Sequence, residues 1–282
     1  MHRADEIVSY AARYVPYYQK LLETHTNGLQ FYEIPLNNKD NIVEDESKFY
    51  SSEYHQYPKS KNIIYQRTSG STGKQIKVIW DSSDYKRSLL GLWIYRKKYY
   101  DINPQDRYCY FYTTSYIHNQ LTKELPEQRG PHSLGFSKTP LYKERIKEIY
   151  EKMVEFNPIW IMMQPSFAVL LAQSKEENKL PNLPDLKYVE LTGEFLTDDM
   201  RKMIQEAFSC RIANQYGCNE VNSIAYECPF GHLHVMDSSV VIEVIGENGS
   251  ESGDLHVTSL HNHAMPFIRY NTGDQGRSEE RR

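Results

Sequence analysis

The residues best suited to chemistry lie between Tyr65 and Val78, which read YQRTSGSTGKQIKV. Thr68, Ser69, Gly70, Ser71, Thr72 and Gly73 form a run of small or hydroxylated side chains just ahead of Lys74. Glycine lets backbone N–H groups close on an anion, because no Cβ blocks the approach. The hydroxyls of Ser69, Ser71 and Thr72 add donors, and Lys74 adds positive charge. This combination suits a polyphosphate. Ile63, Ile64 and Tyr65 precede the run, and Ile76, Val78 and Ile79 follow it, so a strand, a loop and a second strand are expected. A Walker loop requires GxxxxGK[ST] at the start of a helix. Here Gln75 follows Lys74 and the chain continues as a strand, which argues against a P-loop phosphotransferase. The plain alternative is a Ser/Gly-rich hairpin turn.

Three more stretches carry candidate chemistry. In QYGCNEV, Gln215 to Val221, a strand ends in Tyr216 and Gly217, and Glu220 follows. Tyr216 could stack on a flat base. Glu220 could hold Mg²⁺, a hard cation that takes carboxylate and phosphate oxygens. In MPFIRYNTGD, Met265 to Asp274, the aspartate follows a Thr-Gly turn and could accept hydrogen bonds from two vicinal hydroxyls, as on a ribose. In LTGEFLT, Leu191 to Thr197, backbone groups around Gly193 and Glu194 could wrap one edge of a purine. Each has an ordinary reading as a strand-to-loop turn, a turn aspartate bonded to its own backbone or a helix start. A zinc site is a further alternative. Cys228, His232 and His234 form CxxxHxH with Cys218 nearby, but the spacing is irregular.

These stretches need elements to hold them. Helical spacing places Ile7, Tyr10, Ala11, Tyr14, Tyr17 and Leu21 on one face of residues 5–24, with a break at Pro16. A short helix is expected near Lys39 to Lys48. Asp81 to Asp84 reads as a helix N-cap. The helix it opens runs to about Tyr100, with Leu89, Leu90, Trp93 and Ile94 inward. Strands are expected over 106–114, 158–164, 187–193 and 210–217, and helices over 141–156, 167–178 and 198–208. Ser166 and Thr197 are the expected caps of the last two helices. Residues 115–140 read as loop. From Ile224 onward, IAYECPF, HLHVMD, VVIEVIG and GDLHVTSL read as strands. Strand–helix alternation followed by a β-rich end predicts layered α/β subdomains with mixed sheets plus a β-rich C-terminal subdomain. The expected division is 1–222 and 223–282. In such sheets ligands sit beyond the carboxyl ends of the strands, which is where Gly193-Glu194 and Gly217 to Glu220 fall.

Composition narrows the function. The chain has 282 residues, 25% charged and 39% hydrophobic, in the range of globular proteins. Net charge is −4, so no global basic field invites nucleic acid. No run approaches the roughly 18 apolar residues needed to span a membrane, and the N-terminus lacks a secretory h-region. Four cysteines do not make a disulfide framework in a chain this long. A cytoplasmic protein without membrane or nucleic-acid partners is expected. The 23 tyrosines are expected to supply amphipathic core and pocket lining.

Taken in order, TSGSTGK, TGE, YGCNE and RYNTGD resemble the adenylate-forming superfamily of acyl-CoA synthetases and adenylation domains. YVPYYQKLL near the start and ECPFGHLHV…GDLHVTSL near the end are most similar to its phenylacetate–CoA ligase branch, which includes capsule-biosynthesis proteins. The resemblance covers almost the whole chain. It implies the fold of that family's large domain and a reaction in which a small carboxylic acid attacks ATP, giving an acyl-adenylate and pyrophosphate. CoA or a carrier thiol is the implied next acceptor. By resemblance, Thr68 to Lys74 is the phosphate loop, with Lys74 and Glu220 catalytic. Gly193 and Glu194 lie on the adenine side and Tyr216 packs on adenine. Asn219 stands beside the α-phosphate where the family usually has threonine. Glu220 is the Mg²⁺ ligand and Asp274 the ribose aspartate. Tyr112 to Asn119, with His118, lies where the family builds its acyl pocket. The family continues into a small C-terminal domain carrying a lysine for adenylation, whereas QGRSEERR follows Asp274 here. The expectation is therefore a large domain whose small domain is absent or comes from a partner. The alternative is a nucleotide- or acyl-binding remnant without full ligase activity.

Overall fold

The computed structural model describes residues 3–24, 28–55, 62–68, 75–112, 116–117, 120–121, 126–246 and 252–277. The phosphate-loop candidates Ser69, Gly70, Ser71, Thr72, Gly73 and Lys74, and His118 of the acyl-pocket candidate, lie outside them.

Pro16 cannot continue a helix it did not start, so the N-terminal helix breaks into α1 (Asp5–Tyr14) and α2 (Pro16–Leu22). Next come α3 (Lys39–Glu44), α4 (Ser52–His55), the hairpin β1 (Ile63–Arg67) and β2 (Lys77–Asp81), and helices α5 (Ser82–Ser88) and α6 (Leu90–Tyr100). Then follow β3 (Tyr108–Tyr112), the short pair β4 (Tyr116–Ile117) and β5 (Gln120–Leu121), β6 (Glu127–Arg129), β7 (Ser133–Ser137), α7 (Lys143–Phe156) and β8 (Trp160–Met163). The chain continues with α8 (Pro165–Glu177), β9 (Tyr188–Thr192), α9 (Asp198–Phe208), β10 (Arg211–Cys218), β11 (Asn222–Glu227) and β12 (Leu233–Val235). It ends in β13 (Val240–Ile245), β14 (Ser252–Ser259) and β15 (Tyr270–Arg277). Among the described residues no helix is long and apolar enough to cross a membrane.

Two compact units emerge. The first comprises Met1–Leu92, Gly217–Ile224 and Val235–Arg282, the second Trp93–Tyr216 and Ala225–His234. In the first, α1 and α2 bury Ile7, Val8, Ala11, Val15 and Tyr18 against Phe31, Ile34 and Ile268. Tyr18 takes the deep position, whereas Tyr10 and Tyr14 stay half-buried. The antiparallel sheet β13–β14–β15 and the hairpin β1–β2 complete this unit.

The second unit is built on an eight-stranded sheet of order β12-β11-β10-β9-β8-β3-β7-β6. Strands β10, β9, β8, β3 and β7 run parallel, and β6 runs antiparallel to β7. Successive side chains on a strand point to opposite faces. Cys109, Phe111, Ile161, Met163, Val189 and Leu191 therefore share one face, under Ile149, Leu171 and Ile204 of the three long helices. The expected layered α/β fold with mixed sheets is present.

Several local expectations are corrected. The helix after Asp81 is two helices, and its inward residues are Leu92, Arg96 and Tyr100 rather than Leu90 and Ile94, which are exposed. A buried carboxylate on the sheet draws Arg96 inward, as described below. The 115–140 loop contains β6 and β7. Gly135 makes β7 fit, because a Cβ there would meet the Tyr110 ring at 2.4 Å. Helix α8 starts at Pro165 with Gln164 as its N-cap, so Ser166 is not the cap. The strand runs after residue 223 serve two sheets: β11 and β12 extend the large one, and β13 and β14 pair with β15.

Candidate active site

In the first unit the candidate residues gather around one turn, Cys218 to Asn222. The β1–β2 hairpin is in register from Ile63↔Asp81 to Arg67↔Lys77. Beyond that pair, Thr68 N donates to Ile76 O at 3.1 Å and Ile76 N donates to Thr68 Oγ1 at 3.0 Å. Buried Thr68 thus closes the base of the segment that runs on to Lys74. The Asn219 side-chain amide donates to the Arg67 carbonyl at 2.8 Å, and Trp80 Nε1 donates to the Asn219 carbonyl at 3.2 Å. One residue of the turn therefore grips both strands of the hairpin. Asn222 Nδ2 donates to Ser88 Oγ at 2.7 Å, which ties the far end of the turn to α5.

Glu220 sits at the centre of this turn and is 5% exposed. The Tyr270 hydroxyl donates to Glu220 Oε1 at 2.9 Å, and the Cys218 thiol also bonds the carboxylate. Burial, and then the Glu220 charge, raise the Tyr270 phenol and the Cys218 thiol above their ordinary values, so both remain proton donors. A single protein carboxylate suits Mg²⁺, which binds through one or two carboxylates and completes its shell with phosphate oxygens and water. It does not suit zinc. Among the described residues no group of three or more His, Cys, Asp or Glu side chains is placed to hold a metal ion. This corrects the zinc alternative at Cys218, Cys228, His232 and His234. Cys228 belongs instead to a tight turn, where its N–H donates to His232 O and its carbonyl accepts from Gly231 N, both at 2.9 Å. The His234 ring packs 5.9 Å from the Tyr99 ring.

Asp274 lies in a bulge within β15, not at the strand's end. The pairs His256↔Asn271 and Asp254↔Gln275 flank it, so Thr272, Gly273 and Asp274 together oppose Leu255. The bulge is held by Gly273 N donating to Asn271 Oδ1 at 2.7 Å and Asp274 N donating to Thr272 Oγ1 at 3.2 Å. Gly273 adopts φ +83°, which a side chain would disfavour. The result pushes an exposed carboxylate out of the ladder.

In the second unit, β9 and β10 pair in parallel up to Thr192↔Gln215. Gly193-Glu194 therefore leave the carboxyl end of β9 beside Tyr216, which lies near the carboxyl end of the neighbouring β10. The Thr192 hydroxyl donates to the Gln215 side chain, and Gln215 Nε2 donates to the Tyr216 carbonyl at 3.1 Å. Gly193 turns the chain at φ +81°. The Glu194 carboxylate accepts from Ser166 N at 3.0 Å, in the first turn of α8. Its side chain thus answers a helix N-terminus, while its backbone stays at the strand end.

On the α6 face of the same sheet lies a buried polar group that the sequence reading missed. Arg96 donates to Glu190 through Nε at 2.8 Å and Nη2 at 2.5 Å, with the two residues 5% and 0% exposed. The guanidinium lies between the rings of Trp93 and Trp160, 4.6 and 4.5 Å from their centroids. Tyr188 and Tyr226 donate to Glu190 Oε2 at 3.1 and 2.9 Å. A glutamate in the middle of a predicted interior strand, KYVELTG, was the available signal.

Comparison with known proteins identifies the family and the fold. The family model described as AMP-binding enzyme matches residues 18–246. Phenylacetate-coenzyme A ligase of Thermus thermophilus is 25% identical over 96% of this chain and 63% of its own length. Protein CapK of Staphylococcus aureus is 22% identical over 96% of this chain and 61% of its own. The chain thus spans less than two thirds of the length of these relatives. Among solved structures, 2-hydroxyisobutyryl-CoA ligase in the postadenylation state with 2-HIB-AMP superposes with a TM-score of 0.75 at 18% identity. That superposition covers 98% of this chain and 62% of the ligase. The likeness concerns the fold. The chain belongs to the AMP-binding enzyme family, the adenylate-forming superfamily, in its phenylacetate–CoA ligase-like branch.

Proposed function

We propose that this chain activates a small carboxylic acid with ATP. A carboxylate oxygen attacks the α-phosphorus, the bond from that phosphorus to the bridging oxygen breaks, and acyl-adenylate and pyrophosphate form. A thioester with CoA is the proposed next product, with an aromatic acid the first substrate class to test. The observation that carries this reading is the turn Cys218 to Asn222. There one short stretch carries a buried carboxylate, Glu220, and through Asn219 holds the base of a Ser/Gly/Lys segment.

The roles follow from the side chains. Lys74 and the donors from Thr68 to Gly73 meet the β- and γ-phosphates and draw charge toward the departing pyrophosphate. Glu220 holds Mg²⁺, which supplies positive charge at the phosphates when bound. Asn219 holds the loop's strand beside the α-phosphate. Tyr216 stacks on adenine, flanked by Gly217, and backbone groups at Gly193 and Glu194 line the base's edge. Asp274 accepts from the ribose hydroxyls.

The deciding experiment is pyrophosphate release from the purified chain with ATP, Mg²⁺ and a panel of aryl, aliphatic and amino acids. Acid-dependent release is expected and names the substrate class. ATP binding without release for any acid would replace this reading with a nucleotide- and acyl-binding half-enzyme. Formation of ADP would overturn it.

A further inference from the structure

Tyr270 is 2% exposed and lies 50 positions along the chain from Glu220, so their contact is made by folding alone. Its backbone is pinned on both sides. Asn37 N donates to Arg269 O at 2.9 Å and Asn271 N donates to Asn37 O at 2.7 Å. Arg269 N donates to Thr258 Oγ1 at 2.9 Å, and its guanidinium forms a two-pronged ion pair with Glu243 at 2.9 and 2.8 Å. The Tyr270 ring packs edge-on against Phe267 at 5.2 Å. The phenol therefore has a fixed origin and direction.

A carboxylate on a side chain with three rotatable bonds can turn, and rotation spoils a metal ligand. Outer hydrogen bonds that fix such a ligand are commonly worth 10- to 100-fold in metal affinity. We propose that Tyr270 is a positioning residue, whose hydroxyl bond to Glu220 Oε1 sets the carboxylate in the orientation that receives the metal ion. This rests on the metal role proposed for Glu220. Tyr270 opens the strand that carries Asp274 four residues later. One strand thus aims the metal-binding carboxylate and carries the ribose-binding one.

The test uses Tyr270→Phe, which keeps the ring and its packing and deletes only the donor. Calorimetry measures the affinity of a non-hydrolysable ATP analogue with Mg²⁺ and with EDTA, for wild type, Tyr270→Phe and Glu220→Gln. The gain in affinity that Mg²⁺ confers is expected to fall about tenfold in Tyr270→Phe. The affinity in EDTA and the melting temperature are expected to stay near wild type. If Glu220→Gln loses the Mg²⁺ gain while Tyr270→Phe keeps it, the positioning role is wrong and the metal role stands. If both keep it, the metal role falls and the positioning role falls with it. A loss of affinity in EDTA together with a lower melting temperature would mean that Tyr270 only supports the fold, and would overturn the proposal.

Discussion

Asn219 donates its side-chain amide to the carbonyl of Arg67, the last residue of β1, at 2.8 Å. This contact joins the turn bearing Glu220 to β1, the strand that leads into the Ser/Gly/Lys segment. Threonine, the residue expected here from the family pattern, is too short to span the same gap and keep its own place. The departure from the pattern is therefore a structural bond as well as a change of donor.

Replacing Asn219 by Ala removes that bond and should release the end of β1 from the turn. One neutral hydrogen bond is worth about 0.5–1.5 kcal/mol, so ATP affinity should fall about three- to tenfold. Asn219→Thr should behave like the alanine variant rather than like wild type. Nucleotide titration checks both, and full function in the threonine variant would show that the Arg67 contact is incidental.

Asp274→Ala should weaken ATP binding by about 10- to 100-fold, the scale of one or two hydrogen bonds to a charged acceptor. The bulge should persist, because Gly273 N and Asp274 N are held by Asn271 and Thr272. The sharper measurement compares ATP with 2′-deoxy-ATP. Wild type should prefer ATP, and the variant should bind the two alike. Equal binding by wild type would remove the ribose role.

The sequence carried the strand-to-loop edges of the candidate site because β-branched and aromatic runs mark them, as around TSGSTGK and YGCNE. It also carried the cap of α9, where Thr197 Oγ1 accepts from Met200 N. It missed the face that α6 buries. Counting apolar residues turned Leu90 and Ile94 inward, since Arg96 scores as an outward residue. Only the three-dimensional partner, Glu190 on a strand 94 positions away, makes an inward arginine favourable. The bulge at Asp274 was equally hidden. Its two extra residues are defined by what lies opposite on β14, and local sequence reports no register.

The Arg96–Glu190 pair gives the stability prediction. Removing one partner leaves a buried charge uncompensated, which typically costs about 3–5 kcal/mol. Glu190→Gln strands Arg96 between the two tryptophans, so its urea midpoint should drop sharply. The double variant Arg96→Met, Glu190→Leu should recover part of that loss. Full recovery is not expected, because Tyr188 and Tyr226 would lose the carboxylate their hydroxyls now meet. A Glu190→Gln variant as stable as wild type would mean that the pair contributes little.

The last prediction concerns pH. His263 Nδ1 lies 2.9 Å from Asp84 Oδ2, with Arg87, His261 and the edge-on ring of Tyr10 around it. The hydrogen bond to Asp84 raises the His263 pKa above its ordinary 6.5. The folded state therefore holds this proton more tightly than the unfolded chain. The pair's contribution is complete below the unfolded value and is lost as pH rises through the raised folded value. His261 is shifted the other way, chiefly by burial, so the wild-type curve alone mixes two opposing effects. The difference in melting temperature between wild type and His263→Gln isolates the pair. It should be larger near about pH 5.5 than near about pH 8.5, and Asp84→Asn should flatten it. A difference that grows toward alkaline pH would show that His263 is held as the neutral ring.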